Sequence, residues 1–478
     1  MFKQLYGIIG EHIRSGIHPE THIILPDGGI VKAKDVSTHI LAYDFSYTST
    51  TPVTTRKIMV LASKIVTIRT LHSEIKVSQN HRLLALSNNT LKVLKAKQIR
   101  VGDLLAVPFK IKVKNERYVS FPLAYTIQTS YSDFKFNGGL SETVCESRVK
   151  NKLKSILRLI LRRKVKFRSI EENDSNIAYP IRELYPVNIL NEDLAQTIAY
   201  LKFSRSIVDG VMRILCRSKN VAKEYAKNLK KFIKVRYKIY RHRNSRLWAI
   251  EFSKHSSSIL KHVVKYVNTV FNVISRSPAS VIAAFISGLY DATGKVDNGV
   301  IEITVDSIDT AFKLQLLMLR LGVYPYITRC RETGTVKLRI RGIINTSNFL
   351  STVGRYVYSE INVKPKRDID DIVPLTGNVK NLLEAETEIA YINGYYVVPR
   401  EKLQKVIQSK YLKYYNLTSV RDSLTEALYL LSFRWDPVIA VRVEEYNGPL
   451  YDFYVPLYHN YIAGPFVVYS SHTTLLSP

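Results

Sequence analysis

The chain runs to 478 residues, more than one hydrophobic core ordinarily supports, so two or more domains are expected. Its 70 Lys and Arg stand against 40 Asp and Glu, a formal net charge of +30 spread along the sequence. That excess favours a polyanionic partner over the sign-balanced surface of a heat-adapted protein. The three cysteines, Cys145, Cys216 and Cys330, make no CxxC pair and have no His at ligand spacing, which argues against a disulfide framework and a structural zinc site. No window is apolar for long enough to cross a membrane, so a soluble, cytoplasmic protein is expected.

From Thr21 to about Lys112, short β-rich runs alternate with turn signals: HIILPDGGIV, KIVTIRT, EIKVS, HRLLAL and DLLAVPFKIKV. This is the pattern of a compact all-β unit. Between about Asn115 and Asn191 the chain is irregular and carries SRVKNKLKSILRLILRRKVKFR, with apolar residues at helical spacing among many cations. A helix lying on DNA and a solvated basic helix fit this stretch equally. From about Asn191 to Val363 the pattern is α/β, from Lys364 to about Ser432 mostly helical, and strand-like runs return from Val438 to Val468. The β character brackets the α/β part, as when one domain is inserted at a surface turn of another.

The middle segment repeats itself. A first copy reads LAQTIAYLKFS, VAKEYAKNLKKFI, KVRYKIYRHRNSRLWAIEFSK and SSSILKHVVKYV, as helix, helix, hairpin and helix. A second reads AAFISGLYDATG, IDTAFKLQLLMLRLG, PYITRCRETGTVKLRIRG and TSNFLSTVG. Ser204 and Thr293 lie 89 positions apart and Arg246 and Lys337 lie 91 apart, which indicates a duplicated αββ unit. Lys234, Arg236 and Lys238 alternate with Ile233, Val235, Tyr237 and Ile239, and Lys337, Arg339 and Arg341 alternate with Val336, Leu338 and Ile340. A period of two gives each sheet an apolar face and a basic face. Ribbons of this kind fit the major groove of a duplex, so these six cations, with Arg246, are the candidate DNA-binding residues.

The two repeat-opening helices, IAYLKFSR and GLYDATG, resemble the paired motifs of LAGLIDADG homing endonucleases. The resemblance implies an α+β domain of two pseudo-twofold αββαββα-like repeats. It also implies two helices packed through small residues, each ending in an acid that holds the divalent metal needed for phosphodiester hydrolysis. Those acid positions fall on Ser204 and Thr293, both neutral hydroxyls, and Arg205 replaces the glycine that follows the first. Little or no cleavage is therefore expected and no metal, with Mg2+ the cofactor if nuclease activity survives. Asp291, two residues before its motif's metal position, reads as a structural residue, and as the residual acid if any ligand remains. The alternative keeps an active metal-dependent endonuclease whose substitute acids are Asp291 or Asp297.

The flanking β segments resemble the Hint splicing domain of inteins. IHPETHIILPDG (17–28) is similar to an archaeal intein start, VSQNH (77–81) to its TxxH block, and the segment from Arg434 to Ser471 to its closing blocks. In such proteins a Cys or Ser at the first position attacks the preceding carbonyl while a histidine works on the scissile amide, and a terminal Asn later cyclises. Here the first position is Gly16, which has no side chain. Ser15 stands one residue out of register, and Ser78 and His81 fill the TxxH block. His459 remains in the closing blocks, Tyr469 and Ser470 replace the terminal His and Asn, and Ser471 matches the first residue beyond. Splicing is therefore expected to be lost.

The expected organisation is multi-domain: an all-β Hint domain split into 16–115 and 434–471, with the LAGLIDADG domain at 191–363 as repeats of about 191–275 and 276–363. A basic region at 116–190 and a helical accessory segment at 364–433 flank the insert, and 1–15 and 472–478 read as host remnants. Double-stranded DNA is the expected partner, bound by a monomer with internal pseudo-twofold symmetry and no membrane attachment.

Overall fold

A computed structural model describes residues 15–113, 118–119, 189–233, 235–242, 247–267, 270–330, 334–384, 386–414 and 418–470. The basic stretch SRVKNKLKSILRLILRRKVKFR lies outside them. By contact, the described residues of 1–116, 294–355 and 361–478 form one unit, and those of 117–293 with 356–360 a second.

The first unit opens with nine strands: β1 (His22–Ile24), β2 (Ile30–Lys32), β3 (His39–Asp44), β4 (Ser49–Thr54), β5 (Arg56–Thr70), β6 (Glu74–Val77), β7 (Arg82–Ser87), β8 (Thr90–Lys95) and β9 (Leu104–Pro108). Leu83 to Leu86 of β7 and all of β9 are buried, so these strands read as continuous apolar runs covered on both faces.

The second unit begins with α1 (Glu192–Ser204), capped by Asn191, whose Oδ1 accepts from Leu194 N at 3.0 Å, with Glu192 and Asp193 in its first turn. A hairpin follows, β10 (Arg205–Val208) and β11 (Val211–Cys216), turned by Asp209 and Gly210 at φ +51° and +79°. Then come α2 (Lys219–Phe232), β12 (Tyr237–Arg241), β13 (Trp248–Phe252), α3 (Lys254–Val267), α4 (Val270–Ile274) and α5 (Ala279–Thr293). The strands order as β10-β11-β13-β12. α5 is buried from Val281 to Asp291, as expected of a helix apolar all round. It meets α1 backbone to backbone at Gly288, where an added Cβ would stand 2.2 Å from Gln196 O and 3.1 Å from Ala199 Cβ.

The first unit resumes with β14 (Gly294–Asp297), β15 (Val300–Val305), α6 (Ile308–Arg320), β16 (Tyr326–Arg329), β17 (Val336–Ile340) and α7 (Ile343–Thr352). Their sheet, β14-β15-β17-β16, has the strand order of the sheet in the second unit. Each copy thus contains a hairpin after its opening helix that the reading by residue pattern passed over. The expected helical stretch after Lys364 contains α8 (Gly377–Leu383), α9 (Arg400–Tyr414) and α10 (Thr418–Ser432). It also holds a three-stranded sheet of β18 (Ile372–Pro374), β19 (Ala390–Ile392) and β20 (Tyr395–Pro399). No described helix is long and apolar enough to cross a membrane.

The chain closes with β21 (Phe433–Tyr454), β22 (Asn460–Ala463) and β23 (Phe466–Tyr469). β21 spans 22 residues: Phe433 to Pro437 pair with β9, and the rest pairs with β5 through two irregularities. One path of strands, β22-β23-β7-β9-β21-β5-β6, therefore unites the segments before and after the repeats.

A buried polar cluster lies at the bend of β21. His72 Nδ1 is 2.8 Å from Asp436 Oδ1 and its Nε2 is 3.1 Å from Asp370 Oδ2, and its ring stacks on Tyr324 at 4.5 Å. Thr70 and Tyr324 donate to Asp436, and Asn345 donates to Asp370. Burial opposes charge on His72, but the two carboxylates outweigh it and push its pKa up to about 10.

Candidate functional site

The residues around Gly16 are held by backbone pairing. Ile17 exchanges hydrogen bonds with Tyr451 at 2.8 and 3.0 Å, and Ser78 N donates to Gly16 O at 2.8 Å. Gly16 N donates in turn to Ser78 Oγ at 3.0 Å. The fit is tight at position 16, where a Cβ would meet Leu450 Cβ and Tyr451 O at 3.0 Å each. Ser15, expected to be misplaced, instead sets its Oγ 2.8 Å from His81 Nδ1, with both residues buried. Being one residue out of register does not separate it from the histidine.

Beyond His81 the contacts continue to Tyr461 OH, 3.4 Å from Nε2, and from Tyr461 OH to Asp452 Oδ1 at 3.2 Å. The sequence reading named neither Tyr461 nor Asp452. The signal for Asp452 was available, as a lone acid among apolar residues in LYDFYV. At the end of β23, where Tyr469 pairs with Arg82, Ser470 N donates to His459 O at 3.0 Å, and the buried Ser470 Oγ has no hydrogen-bond partner among the described residues. His459 is exposed at φ +53°, and Tyr469 is half-buried, its phenol pushed up to about 12 by burial. Asn460 is occupied structurally, clasping the Tyr43 backbone through both Oδ1 and Nδ2. Ser471 lies outside the described residues.

In the second unit, Ser204 and Thr293 stand at the ends of α1 and α5, and each hydroxyl donates back to the carbonyl four residues earlier, Tyr200 O and Leu289 O. Asp291 faces inward instead. Its oxygens accept from Tyr225 OH, Tyr358 N, Ser359 N and Ser359 Oγ, so no lone pair is turned to an open site. Asp297 pairs with Lys295 at 3.2 Å. Among the described residues no three His, Cys, Asp or Glu gather as a metal site, and the helix ends present two neutral hydroxyls, each bonded to its own helix.

The sheets carry cations, but each also holds an acid that sequence reasoning missed. Glu302 on β15 is 3% exposed and receives Arg339 Nε at 2.9 Å, Lys337 Nζ at 3.1 Å and Lys295 Nζ at 3.5 Å. Glu251 on β13 receives Arg213 Nε and Lys238 Nζ, both at 2.7 Å, and these pairs pull its pKa down to about 2. Arg341 pairs with Asp368 at 3.1 Å, Arg236 is exposed, and Lys234 and Arg246 lie outside the described residues.

Strand register corrects the proposed equivalence of Arg246 with Lys337. Lys337 pairs with Thr304 as Ala249 pairs with Leu215, so Ala249 is its counterpart. Likewise Lys238 is on β12 and Lys337 on β17, which are not corresponding strands. The true correspondence is an ion pair of opposite sense, Arg213 opposite Glu251 in one sheet and Glu302 opposite Arg339 in the other.

Residues 23–472 match the family described as the intein splicing domain. Among curated proteins, 223 residues are 27% identical to part of elongation factor 2 of Methanopyrus kandleri, covering 44% of this chain and 17% of that protein. A further 26% identity over 183 residues is to an A-type ATP synthase polypeptide of Pyrococcus horikoshii, 37% of this chain and 18% of that one. The chain thus spans under a fifth of either relative. Similar solved structures include the homing endonuclease I-DmoI in complex with DNA and Mn, 16% identical over 36% of this chain and 100% of that one, TM-score 0.27. Another is the TvoVMA intein, 21% identical over 20% of this chain and 71% of that one, TM-score 0.18.

Proposed function

Since the chain belongs to the intein splicing domain family, we propose that it is an intein with a LAGLIDADG-type insert that binds double-stranded DNA and neither splices nor cuts it. The observation that carries this reading is the loss of reactive groups where the fold is otherwise intact. Gly16 sits in a backbone niche beside Ser78 with nothing to attack with. Ser470 has no amide to cyclise. The closely packed pair of α1 and α5 ends in two hydroxyls turned back on their own helices, which supports the absence of metal-dependent hydrolysis.

Binding of DNA is supported by net charge and by the cation-bearing strands of each sheet, and it carries a refinement. Glu302 occupies three of those cations as a phosphate would, so it competes with the duplex for them. Glu302→Gln is expected to strengthen binding and to steepen the slope of log affinity against log salt by about 0.9. Arg236→Glu is expected to weaken binding at every salt concentration. Filter binding or fluorescence anisotropy across a salt series reads both; an unchanged slope in Glu302→Gln would remove this sheet from the interface.

The test of the whole reading is an assay of randomised duplex DNA with magnesium or manganese, beside intact-mass measurement. Binding without cleavage, by a chain that keeps its full 54.8 kDa, is the expected result. Cleavage abolished by chelator, or a spliced product, would overturn it.

A further inference from the structure

We propose that the cavity at the bend of β21 is a binding site for a small uncharged amphipathic molecule, an apolar body with one neutral hydrogen-bonding end. The site is separate from the strands assigned to DNA and depends on neither the splicing nor the cleavage argument.

The cavity has a volume of about 360 Å³ and lies within the first unit, between the turn before β9, the sheet of β18 to β20 and the bend of β21. Leu104, Tyr395, Val397 and Trp435 form its wall, each 7% exposed or less. Val101, Ile392 and Ile439 also line it and are 66%, 44% and 43% exposed, so they form its mouth. In a chain of formal net charge +30, no Lys, Arg, His, Asp or Glu enters this lining. A charged ligand would lose its hydration here and meet no counter-charge, so the ligand is neutral.

The polar atoms of the wall side chains are already engaged. Tyr395 OH lies 3.1 Å from both Leu86 O and Gly102 O, and Trp435 Nε1 donates to Leu430 O at 3.0 Å. The volume is that of about twelve molecules of liquid water, yet water inside would find few of the roughly two to four polar partners that hold it in place. An apolar body gains dispersion contacts that poorly held water forgoes, and the size suits a preformed small-molecule pocket. The mouth supplies the polar contact. β21 slips register between Val438 and Ala440, which leaves Ile439 outside the ladder as in a bulge. Asn393, exposed in the turn between β19 and β20, adds a side-chain amide. Both are neutral donors and acceptors, suited to an alcohol, ketone or amide on the ligand.

The chain has two tryptophans, Trp435 in the wall and Trp248 on β13 of the second unit, so the site carries its own reporter. The experiment titrates the full chain carrying Trp248→Phe with N-phenyl-1-naphthylamine, a neutral fluorophore that accepts energy from tryptophan. Saturable quenching of Trp435 by one probe per chain is expected. 1-Octanol should displace the probe, and octanoate, the same body with a carboxylate, should do so about tenfold less well. Ile439→Asp places a charge at the exposed mouth and should lower probe affinity about tenfold with the melting temperature held. Val397→Phe, which fills the cavity, should lower it by at least as much. Absence of saturable quenching would overturn the proposal, as would quenching unchanged in Ile439→Asp and Val397→Phe. So would octanoate displacing the probe as well as octanol does. Because the readout is confined to Trp435, its failure leaves the DNA-binding reading standing.

Discussion

Replacing His72 with Gln is expected to destabilise the first unit by about 3–5 kcal/mol, because it strips the cation from between two buried carboxylates. Asp436 and Asp370 are each at most 4% exposed, so neither can turn to water for compensation, and Gln offers an amide where an imidazolium stood. The pH dependence fixes the cause. The His72 pKa rises on folding from 6.5 to about 10, so its contribution is complete below pH 6.5 and is lost as pH climbs through about 10. Asp370, drawn down from 3.8 to about 2 against the effect of its own burial, contributes above 3.8 and loses its share as pH falls through about 2. The gap between wild type and His72→Gln in chemical unfolding should be widest between those limits and narrow towards alkaline pH. A gap below about 1 kcal/mol at neutral pH would mean that His72 is uncharged in the folded protein.

Gly288→Ala tests the helix pair of the second unit, and two effects oppose each other in it. Alanine favours a helix over glycine by about 1 kcal/mol, so local propensity predicts a gain. The Cβ, however, would land 2.2 Å from the Gln196 carbonyl oxygen, a backbone atom inside α1 that cannot rotate away. Packing should win, with a net loss of about 3 kcal/mol as the helices are forced apart. Gly377→Ala, in helix α8 with nothing within 4 Å of the new methyl, is the control and should be close to neutral or mildly stabilising. If both substitutions stabilised equally, the close apposition of α1 and α5 would be wrong.

Much of the architecture was legible because it depends on local pattern. HRLLAL became β7, LAQTIAYLKFS became most of α1, and AAFISGLYDATG ended α5, each through a period or a cap that neighbouring residues express. The hairpins after α1 and α5 were also legible, in the Asp209-Gly210 and Asn298-Gly299 pairs at positive φ, but their strands are short and were overlooked. What could not be read was contact across long separations. His72 meets Asp370 298 residues on and Asp436 364 residues on, and Glu302 draws its arginine from a strand that follows an intervening helix. The register of Arg246 against Lys337 failed for a related reason, since counting charges along the chain does not say which strand each occupies. For Ser15, sequence position did not reveal that its hydroxyl lies 2.8 Å from the His81 imidazole.

The inverted ion pair has a genetic consequence. Arg213 faces Glu251 in one sheet and Glu302 faces Arg339 in the other, so the halves agree in fold but have exchanged their charges. A gene-conversion tract copying a single strand from one half to the other would set two arginines or two glutamates side by side, and like charges directly opposite destabilise a sheet. Only a tract long enough to carry both strands would leave a stable product. The two sheets are thereby shielded from piecemeal exchange of single strands.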